Sequence, residues 1–460
     1  MPGHIQADQR LAGRSLSQSP SQVPSGEDSP SQARGARPGA AGAGTPRAKR
    51  GGLKTFAALQ NNRDYRFLWA GNTAASAAQW LQIFTIGWLV LSLSGGSALH
   101  SVAVAGIRSL PILVIGPWAG VFADRLDRRK LVIVTQFSLA VLAAGFALLV
   151  ASGRVEVWHA YAYMSLAGIG FAIKQPVRQA LVANTVRRSD LANAMALNAM
   201  GVTSMRLAGP LLGALLITTV GFKWNFFFEA GLYIVMVLLL IPMRTPYRET
   251  SAKASASSQR AGLVESLFEG LHYIFGNAVM RRLTLLNFVR TAVFMPLILL
   301  LPVYTQQALG AGVGTGSIMI AVMGTGGLTA TIVMASWGFF AKKGLVVLIT
   351  LITGSIAILT LGVSHWLWLS LPMMVVMGLS QTHFIVSNQT LIQSVVPDDL
   401  RGRVSSVWQY ESGLIPLAAV GIGFFAARVD INTALTGVGI VALTLGIFFI
   451  IRYRDVRSLD

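Results

Sequence analysis

The sequence is dominated by apolar runs that are each long enough to cross a lipid bilayer. A helix needs about 20 mostly apolar residues to span the hydrocarbon core, and twelve such runs are present. They cover residues 67–92, 99–123, 131–152, 157–175, 192–220, 224–243, 283–308, 314–340, 344–363, 366–391, 403–427 and 432–451. With 53% hydrophobic and only 12% charged residues, the chain has too few charges to solvate a soluble domain. We therefore predict an all-α integral membrane protein.

Basic residues are distributed unevenly between the two sides of this predicted bundle. Of the 37 Lys and Arg, 31 fall in the two terminal segments and in the loops that follow even-numbered runs. Only three, Arg154, Lys223 and Arg428, fall in the loops of the other side. Because cytoplasmic loops are enriched in Lys and Arg, both termini are predicted to be cytoplasmic. The same placement accounts for the net charge of +19 without a nucleic-acid partner.

A long polar loop divides the runs into six and six. We predict a disordered cytoplasmic tail at 1–54, a bundle of helices 1–6 at 55–243, a cytoplasmic linker at 244–281, a bundle of helices 7–12 at 282–452 and a cytoplasmic tail at 453–460. Helical spacing of apolar residues predicts an amphipathic helix over 263–275 in the linker. It also predicts a short interfacial helix over 53–66, for which a plain polar flank is the alternative.

The two halves also resemble each other in sequence. Arg188–Met195 precedes run 5 in the way that Pro397–Val404 precedes run 11, about 209 residues later. Two related bundles suit a protein that holds a site between them near the middle of the membrane.

The composition argues against a metal centre and against enzymatic chemistry. The chain has no Cys, and its six His lack the spacing of metal ligands. We find no Ser/His/Asp set, no paired carboxylates in the loops and no phosphate-binding loop of the Walker type. We predict no cofactor and no enzymatic activity.

Six charges stand between runs 2 and 3, in the sequence Gly-Val-Phe-Ala-Asp-Arg-Leu-Asp-Arg-Arg-Lys of Gly120–Lys130. The pattern Gly-x-x-x-Asp-Arg-x-x-Arg-Arg resembles the signature loop between helices 2 and 3 of the major facilitator superfamily. This resemblance implies twelve transmembrane helices in two six-helix bundles that expose a central site alternately to the two sides.

Run 5 carries a second motif, in which Arg206 is followed by Gly209, Pro210 and Gly213. The Gly-Pro-x-x-Gly core resembles the motif that exporters of this superfamily carry in the same helix. Pro210 removes a backbone donor and bends the helix, while the glycines let a neighbour pack closely. An ordinary kinked helix is the alternative. Neighbouring segments that begin at Gln175 and Leu191 resemble the branch of enterobactin exporters and multidrug efflux proteins.

The resemblance implies a secondary active exporter in the plasma membrane, which would be the inner membrane of a bacterium. Its expected partners are the lipid bilayer, protons and a hydrophobic drug-like or siderophore-like small molecule, and we expect a monomer. The alternatives are a proton-coupled nutrient importer of the same fold and a non-transporting membrane protein.

Polar side chains inside the runs are functional candidates, because burying a charge in a bilayer is costly. Glu229 and Glu411 are the only carboxylates there and are our candidates for proton coupling. The alternative for each is a salt bridge to an Arg on a helix, or a position near the interface. The candidates for a substrate cavity are Gln79, Gln82, Arg108, Arg290, Gln381, His383, Asn388 and Trp408.

The charged loop between runs 2 and 3 is predicted to be a conformational latch. Asp124 ends run 2 on the side where run 11 begins, and the positive end of a helix dipole stabilises a carboxylate. In the superfamily, the matching aspartate is thought to hold the two bundles together. Asp127, where the family more often has Gly, is interpreted as a second acidic partner or as a residue facing water. The latch residues are Gly120, Asp124, Arg125, Arg128, Arg129, Asp398 and Asp399.

We predict that Asp124→Asn inserts normally into the membrane but loses transport and shifts toward the inward-facing state in accessibility assays. The reason is that each surface ion pair contributes only about 0 to 1 kcal/mol, so the loop biases conformations and adds little to folding. Full transport by this variant would refute the latch and support the alternative, in which the six charges only anchor the hairpin.

The charge asymmetry makes a second prediction, which concerns topology. Reporter fusions at Ser258 and after residue 460 should both read as cytoplasmic, because the Lys- and Arg-rich side stays inside. An external reading at either position would overturn the assignment.

Overall fold

The computed structural model describes residues 57–125, 127–187, 190–244, 263–337, 342–397, 400, 404, 407 and 418–459. The N half, up to residue 244, contains α1 (Ala57–Asn61), α2 (Arg63–Leu93), α3 (Ala98–Arg125), α4 (Arg128–Ala151), α5 (Val157–Thr185), α6 (Leu191–Thr219) and α7 (Phe222–Leu240). The C half contains α8 (Leu263–Gly276), α9 (Ala278–Gln307), α10 (Val313–Trp337), α11 (Lys343–Val363), α12 (Leu367–Val395), the helical residues 418–426, α13 (Ile431–Arg452) and α14 (Arg454–Arg457). The predicted tail at 1–54 lies outside the described residues.

The predicted all-helical membrane fold is confirmed. Runs 1–10 and run 12 each coincide with one helix, and run 11 is described at 418–426. Within the described ranges, nine helices are long and apolar enough to cross a bilayer: α2, α4, α6, α7, α9, α10, α11, α12 and α13.

The predicted end of run 4 was wrong. The sequence ended run 4 at residue 175 and counted Lys174 and Arg178 among the charges of the following loop, whereas α5 continues to Thr185 and contains both. The Lys174 side chain is only 3% exposed. Its charge is therefore buried in the helix bundle, and the asymmetry of loop charges rests on the remaining basic residues.

The two halves repeat the same helix crossing. In the N half, α5 packs on α3 with Gly168 against the backbone of Arg108, and a Cβ at Gly168 has no room. In the C half, α12 packs on α10 with Gly378 against the backbone of Met323, again without room for a Cβ. Small residues at such crossings let helices approach closely in a membrane. The structure thus supports the internal repeat inferred from the sequence.

Hydrogen bonds between chain segments define the two faces of the bundle. On the terminal face, where α2 begins and α13 ends, the Arg244 backbone N–H donates to Asp64 Oδ2 (3.0 Å), and the Gly344 N–H donates to Leu459 O (3.1 Å). On the loop face, Gln307 Nε2 donates to Gly96 O across the two halves (2.9 Å). Arg129 and Arg244, which belong to the described parts of the predicted basic loops, lie at this terminal face.

Two short elements cover the terminal face of the C half. The predicted amphipathic helix is observed as α8, which buries Ile274 and donates from Tyr273 OH to Val395 O (3.3 Å). At the C-terminus, Arg282 at the start of α9 forms an ion pair with Asp455 of α14. At the other end of the described chain, α1 and α2 divide the predicted interfacial segment at Asn62.

Candidate functional site

A cavity lies between the two halves. Its walls are almost entirely apolar and come from α2, α3 and α6 of the N half and from α9 and α10 of the C half. The lining residues are Trp80, Ile83, Phe84, Ile86, Gly87, Trp88, Ser101, Val104, Ala105, Pro210, Ile298, Leu299, Leu301, Pro302, Gly316 and Ile320. The enclosed space is small in this conformation, so it would have to widen to hold a small molecule with an apolar body.

The halves meet on the loop-face side of this cavity. Gly316 of α10 lies against the Trp88 ring, so that a Cβ on Gly316 would stand 2.9 Å from Trp88 Cζ2. Gly423 lies against Val102 of α3 in the same way, since a Cβ on Gly423 would stand 3.3 Å from Val102 Cβ. These contacts join small residues to apolar side chains without ion pairs, which suits an interface that separates and re-forms.

Arg206 stands beside the cavity, where α6 meets the C half. Its Nη2 donates to Gln381 Oε1 of α12 at 2.7 Å, so this hydrogen bond joins the two halves. Its guanidinium carbon lies 5.3 Å from the centre of the Trp80 ring, and Trp80 is itself a cavity wall. Arg206 therefore connects the apolar cavity with the polar side chains of α12.

The remaining polar candidates of the C half lie near this hydrogen bond. Arg290 of α9 is 7% exposed, places its guanidinium carbon 5.6 Å from the centre of the Phe384 ring, and donates to Thr291 Oγ1 (2.5 Å). On α12, Gln381 and Asn388 are buried, and His383 Nδ1 lies 3.0 Å from Leu379 O. The sequence-predicted candidates of α9 and α12 therefore lie on two helices of one half.

The Gly-Pro motif of α6 faces α2. A Cβ at Gly209 would stand 2.7 Å from Trp80 Cβ, and one at Gly213 would stand 2.9 Å from Phe84 Cδ1. Pro210 lies inside the helix and has no N–H, so the carbonyl of Arg206 lacks its usual helical donor. The motif thus brings α6 close to α2 at the level of Arg206 and Trp80.

Glu229 is the centre of a second polar cluster, inside the N half. Its side chain is fully buried, and Oε1 accepts hydrogen bonds from Gln82 Nε2 of α2 and from Tyr163 OH of α5, both at 2.7 Å. Gln82 Nε2 and Tyr163 OH are themselves 2.8 Å apart. Among the described residues, the other carboxylate oxygen, Oε2, has no hydrogen-bond partner. One oxygen therefore ties α7 to two other helices.

Cations surround this carboxylate. The charges of Arg108 and Lys174 both act on Glu229, and Arg178 adds a further positive charge near Lys174. The Arg108 guanidinium carbon lies 4.7 Å from the centre of the Phe171 ring, and Lys174 Nζ lies 5.8 Å from the same centre. The close crossing at Gly168 fixes the backbone that carries Arg108. The cluster can hold or release a proton at Glu229 in a charged but largely dry environment.

The sequence named Glu229 as a candidate for proton coupling, but it named Gln82 and Arg108 as candidates for the substrate cavity. The structure places both of them in the Glu229 cluster, and neither is among the residues that line the cavity. The sequence missed Tyr163 and Lys174. Tyr163 was one aromatic among many, and no spacing rule linked it to a carboxylate on another helix. Lys174 was assigned to a loop because it follows the last strongly apolar stretch of run 4. The signal that was available is the helical spacing of Val177, Leu181 and Val182, which follow Lys174 and continue an apolar face of the helix.

The latch prediction falls mostly on side chains that the structure does not describe. Gly120, Asp124 and Arg125 lie in the last turns of α3, and only their backbone is described. Asp398, Asp399, Trp408 and Glu411 lie outside the described residues. Gln79 is half-buried on α2, next to Trp80.

The first turn of α4 has a defined role in the N half. Arg129 Nε donates to Leu240 O at the end of α7 (2.8 Å), and Arg129 Nη2 also contacts Ile241 O. Asp127 caps α4 by accepting from the backbone N–H groups of Arg129 (3.0 Å) and Lys130 (3.3 Å). Arg128 is the first residue of α4. Arg129 therefore holds the C-terminal carbonyls of α7, where a cation is favourable.

The Glu229 cluster leads to a stability prediction. Tyr163→Phe keeps the ring that stacks on Phe146 but removes the donor to Glu229, which should lower the free energy of unfolding by about 1.5–3 kcal/mol. Tyr161→Phe is the matched control, because Tyr161 is half-buried and lies two residues earlier on the same helix. Thermal denaturation in detergent compares them, and equal midpoints would show that the hydrogen bond does not stabilise the fold.

Comparisons with known proteins agree with this architecture. Residues 53–460 match the family described as transmembrane secretion effector. The chain is 24% identical to the staphyloferrin A transporter of Staphylococcus aureus over 381 residues, which are 81% of this chain and 92% of that protein. It is 25% identical to the multidrug efflux pump Tap of Mycolicibacterium fortuitum over 400 residues, 84% of this chain and 94% of that one.

A solved structure shows the same fold. A bacterial homologue of the human lysosomal transporter Spinster, in an inward-facing and occupied conformation, superposes with a TM-score of 0.65 at 14% identity, covering 86% of this chain and 98% of that chain. With the family match over nearly all of the described chain, the protein belongs to the transmembrane secretion effector family of major facilitator superfamily transporters.

Proposed function

We propose that the protein is a secondary active exporter that moves a small molecule out of the cytoplasm in exchange for protons. The observation that carries this proposal is the apolar cavity between the two halves, bordered by the hydrogen bond from Arg206 to Gln381. A binding site at the interface of two repeated bundles is what alternating access requires. We infer a bacterial inner membrane and a monomer from the bacterial relatives and the family.

The contacts between the halves support a cytoplasm-facing state. Trp88 with Gly316 and Gln307 with Gly96 join the halves on the loop face. We assign the basic terminal face to the cytoplasm, because the positive-inside rule favours that orientation. An exporter in this state would take up its substrate from the cytoplasm, and separation of the loop-face contacts would then release it outside.

Export rather than import is supported by two lines of argument. The Gly-Pro motif of α6 resembles the motif of exporters. Its glycines pack α6 against α2 beside the cavity. The relatives that cover most of this chain include a protein named as a multidrug efflux pump. The substrate class is a proposal drawn from the same relatives, a drug-like or siderophore-like molecule.

Glu229 is the residue that we propose for proton coupling. As a carboxylate it accepts two hydrogen bonds through one oxygen and lies near Arg108 and Lys174. A proton on Glu229 would remove the negative charge that offsets these cations, and it would weaken the hold of α7 on α2 and α5. Protonation and conformation are then linked, and the linkage acts in both directions. Glu411 stays a second candidate.

Transport in inside-out vesicles with an acidic interior would test coupling and direction together. Labelled staphyloferrin A, named for one relative, and a labelled macrolide, named for a macrolide efflux protein of Streptococcus pyogenes that is 22% identical over 87% of this chain, serve as probes. The wild type should accumulate at least one of them, whereas Glu229→Gln should lose uphill accumulation and keep downhill exchange, because Gln preserves the shape but does not carry a proton. Glu156→Gln is the control, since Glu156 is an exposed carboxylate at the loop-face start of α5.

Two results would contradict the proposal. Unchanged uphill accumulation and pH dependence in Glu229→Gln would exclude this residue from coupling. Gradient-driven accumulation only in right-side-out vesicles would show an importer.

A further inference from the structure

We propose that the substrate carries an acidic group on an apolar body, and that Arg206 and Gln381 bind this group. This inference deepens the proposed export function and rests on it. It concerns the class of molecule that the cavity selects, which neither the family nor the apolar walls decide.

The first support is the balance of charge inside the membrane. The described spanning helices carry five cations away from their ends, namely Arg108, Lys174, Arg178, Arg206 and Arg290. Against these, the described spans hold Glu229, and the sequence adds Glu411. Even with both carboxylates ionised, positive charge remains in excess. Charge that is not neutralised is costly in a medium of low dielectric constant, so an anion in the cavity would stabilise the protein.

The second support is the surroundings of Arg206. Its partners among the described residues are neutral: the Gln381 side-chain oxygen at 2.7 Å and the Trp80 ring. Arg290 is near enough for the two positive charges to act on each other. A guanidinium has five N–H donors in a planar fork that matches a carboxylate or a phosphate. Arg206 therefore has donors to offer to an anion.

Gln381 supplies a further donor at the same place. Its side chain is 2% exposed, and within the described part of the chain its Nε2 has no hydrogen-bond partner. A buried amide N–H₂ without a partner is unfavourable, so a ligand oxygen there would satisfy it. The two side chains come from opposite halves, and an anion that accepts from both would bridge them.

The position of Arg206 also determines where the rest of the molecule lies. Trp80 contacts the guanidinium and forms a wall of the cavity, and Pro210, one helical turn after Arg206, lines the same cavity. An acidic group at Arg206 therefore places an attached apolar body against Trp80. The anion would compete with Gln381 Oε1 for Arg206, so substrate binding would change a hydrogen bond that joins the halves.

A matched pair of probes tests the charge preference by binding alone. Pyrenebutyrate is an anion, and pyrenebutyramide is its neutral amide with the same ring. Their affinities are measured by calorimetry on the purified full chain in phosphatidylcholine nanodiscs, with empty nanodiscs subtracted. We expect the wild type to bind the anion about tenfold more tightly than the amide, which corresponds to about 1.4 kcal/mol.

Three variants separate the role of Arg206 from a general effect of charge. Arg206→Gln should lose the preference, and Arg206→Lys should keep part of it, because the charge remains but the fork is lost. Arg428→Gln removes the same charge from an Arg that stacks on Phe424 at the loop face, and it should behave as the wild type. Equal binding of anion and amide by the wild type, or a preference that survives Arg206→Gln, would overturn the inference.

Two further comparisons identify the source of the anion and keep the two proposals apart. If phosphatidylglycerol in the nanodiscs abolishes the preference, the Arg206 site belongs to a lipid headgroup and the inference about the substrate is wrong. An unchanged preference supports the inference about the substrate.

Gradient-driven export of probes without any anion preference would refute only this inference. Arg206-dependent anion binding without transport would refute only the export function.

Discussion

The cost of burying polar groups in a bilayer is the constraint on which this structure depends. Glu229 shows how the chain meets it: a fully buried carboxylate oxygen accepts from Gln82 and Tyr163, and Arg108 and Lys174 supply opposite charge. Each hydrogen bond to a charged group contributes about 1.5–3 kcal/mol, and removing one partner leaves the other unsatisfied. The same groups that hold α2, α5 and α7 together are therefore sensitive to a single proton.

The two halves share a crossing of helices but differ in charge. Gly168 of α5 packs against the backbone of α3, and Gly378 of α12 packs against the backbone of α10 in the equivalent way, so the repeated architecture is held by close packing of small residues. The polar cluster around Glu229 has no acidic counterpart in α9–α13, which contain no Asp or Glu. In the described spans, the buried carboxylate Glu229 therefore lies in the N half, while the cavity lies at the boundary between the halves.

Apolar runs predicted the helices well, because membrane spans are specified by composition over about 20 residues. Motif spacing likewise found Arg206 and Pro210. Contacts between helices could not be predicted from apolar runs or motif spacing. Tyr163 donates to Glu229 from a different helix, and no pattern in the sequence around either residue indicates this contact.

Lys174 was misplaced because a charge was taken as the end of a span. Asp127 was interpreted as a possible partner across the interface, yet it caps α4, and its position before Arg-Arg-Lys at a helix start was a usable signal.

The two polar sites are connected through α2. Trp80 and Gln82 are two residues apart, so at about 100° per residue they project from nearly opposite sides of the helix. Trp80 contacts Arg206 at the cavity, and Gln82 donates to Glu229 inside the N half. Gly209, three residues after Arg206, packs α6 closely against α2 at Trp80. Under the proposed function, a proton that loosens Gln82 from Glu229 would act through α2 on the hydrogen bond between Arg206 and Gln381. An anion bound there would act on Glu229 through the same helices.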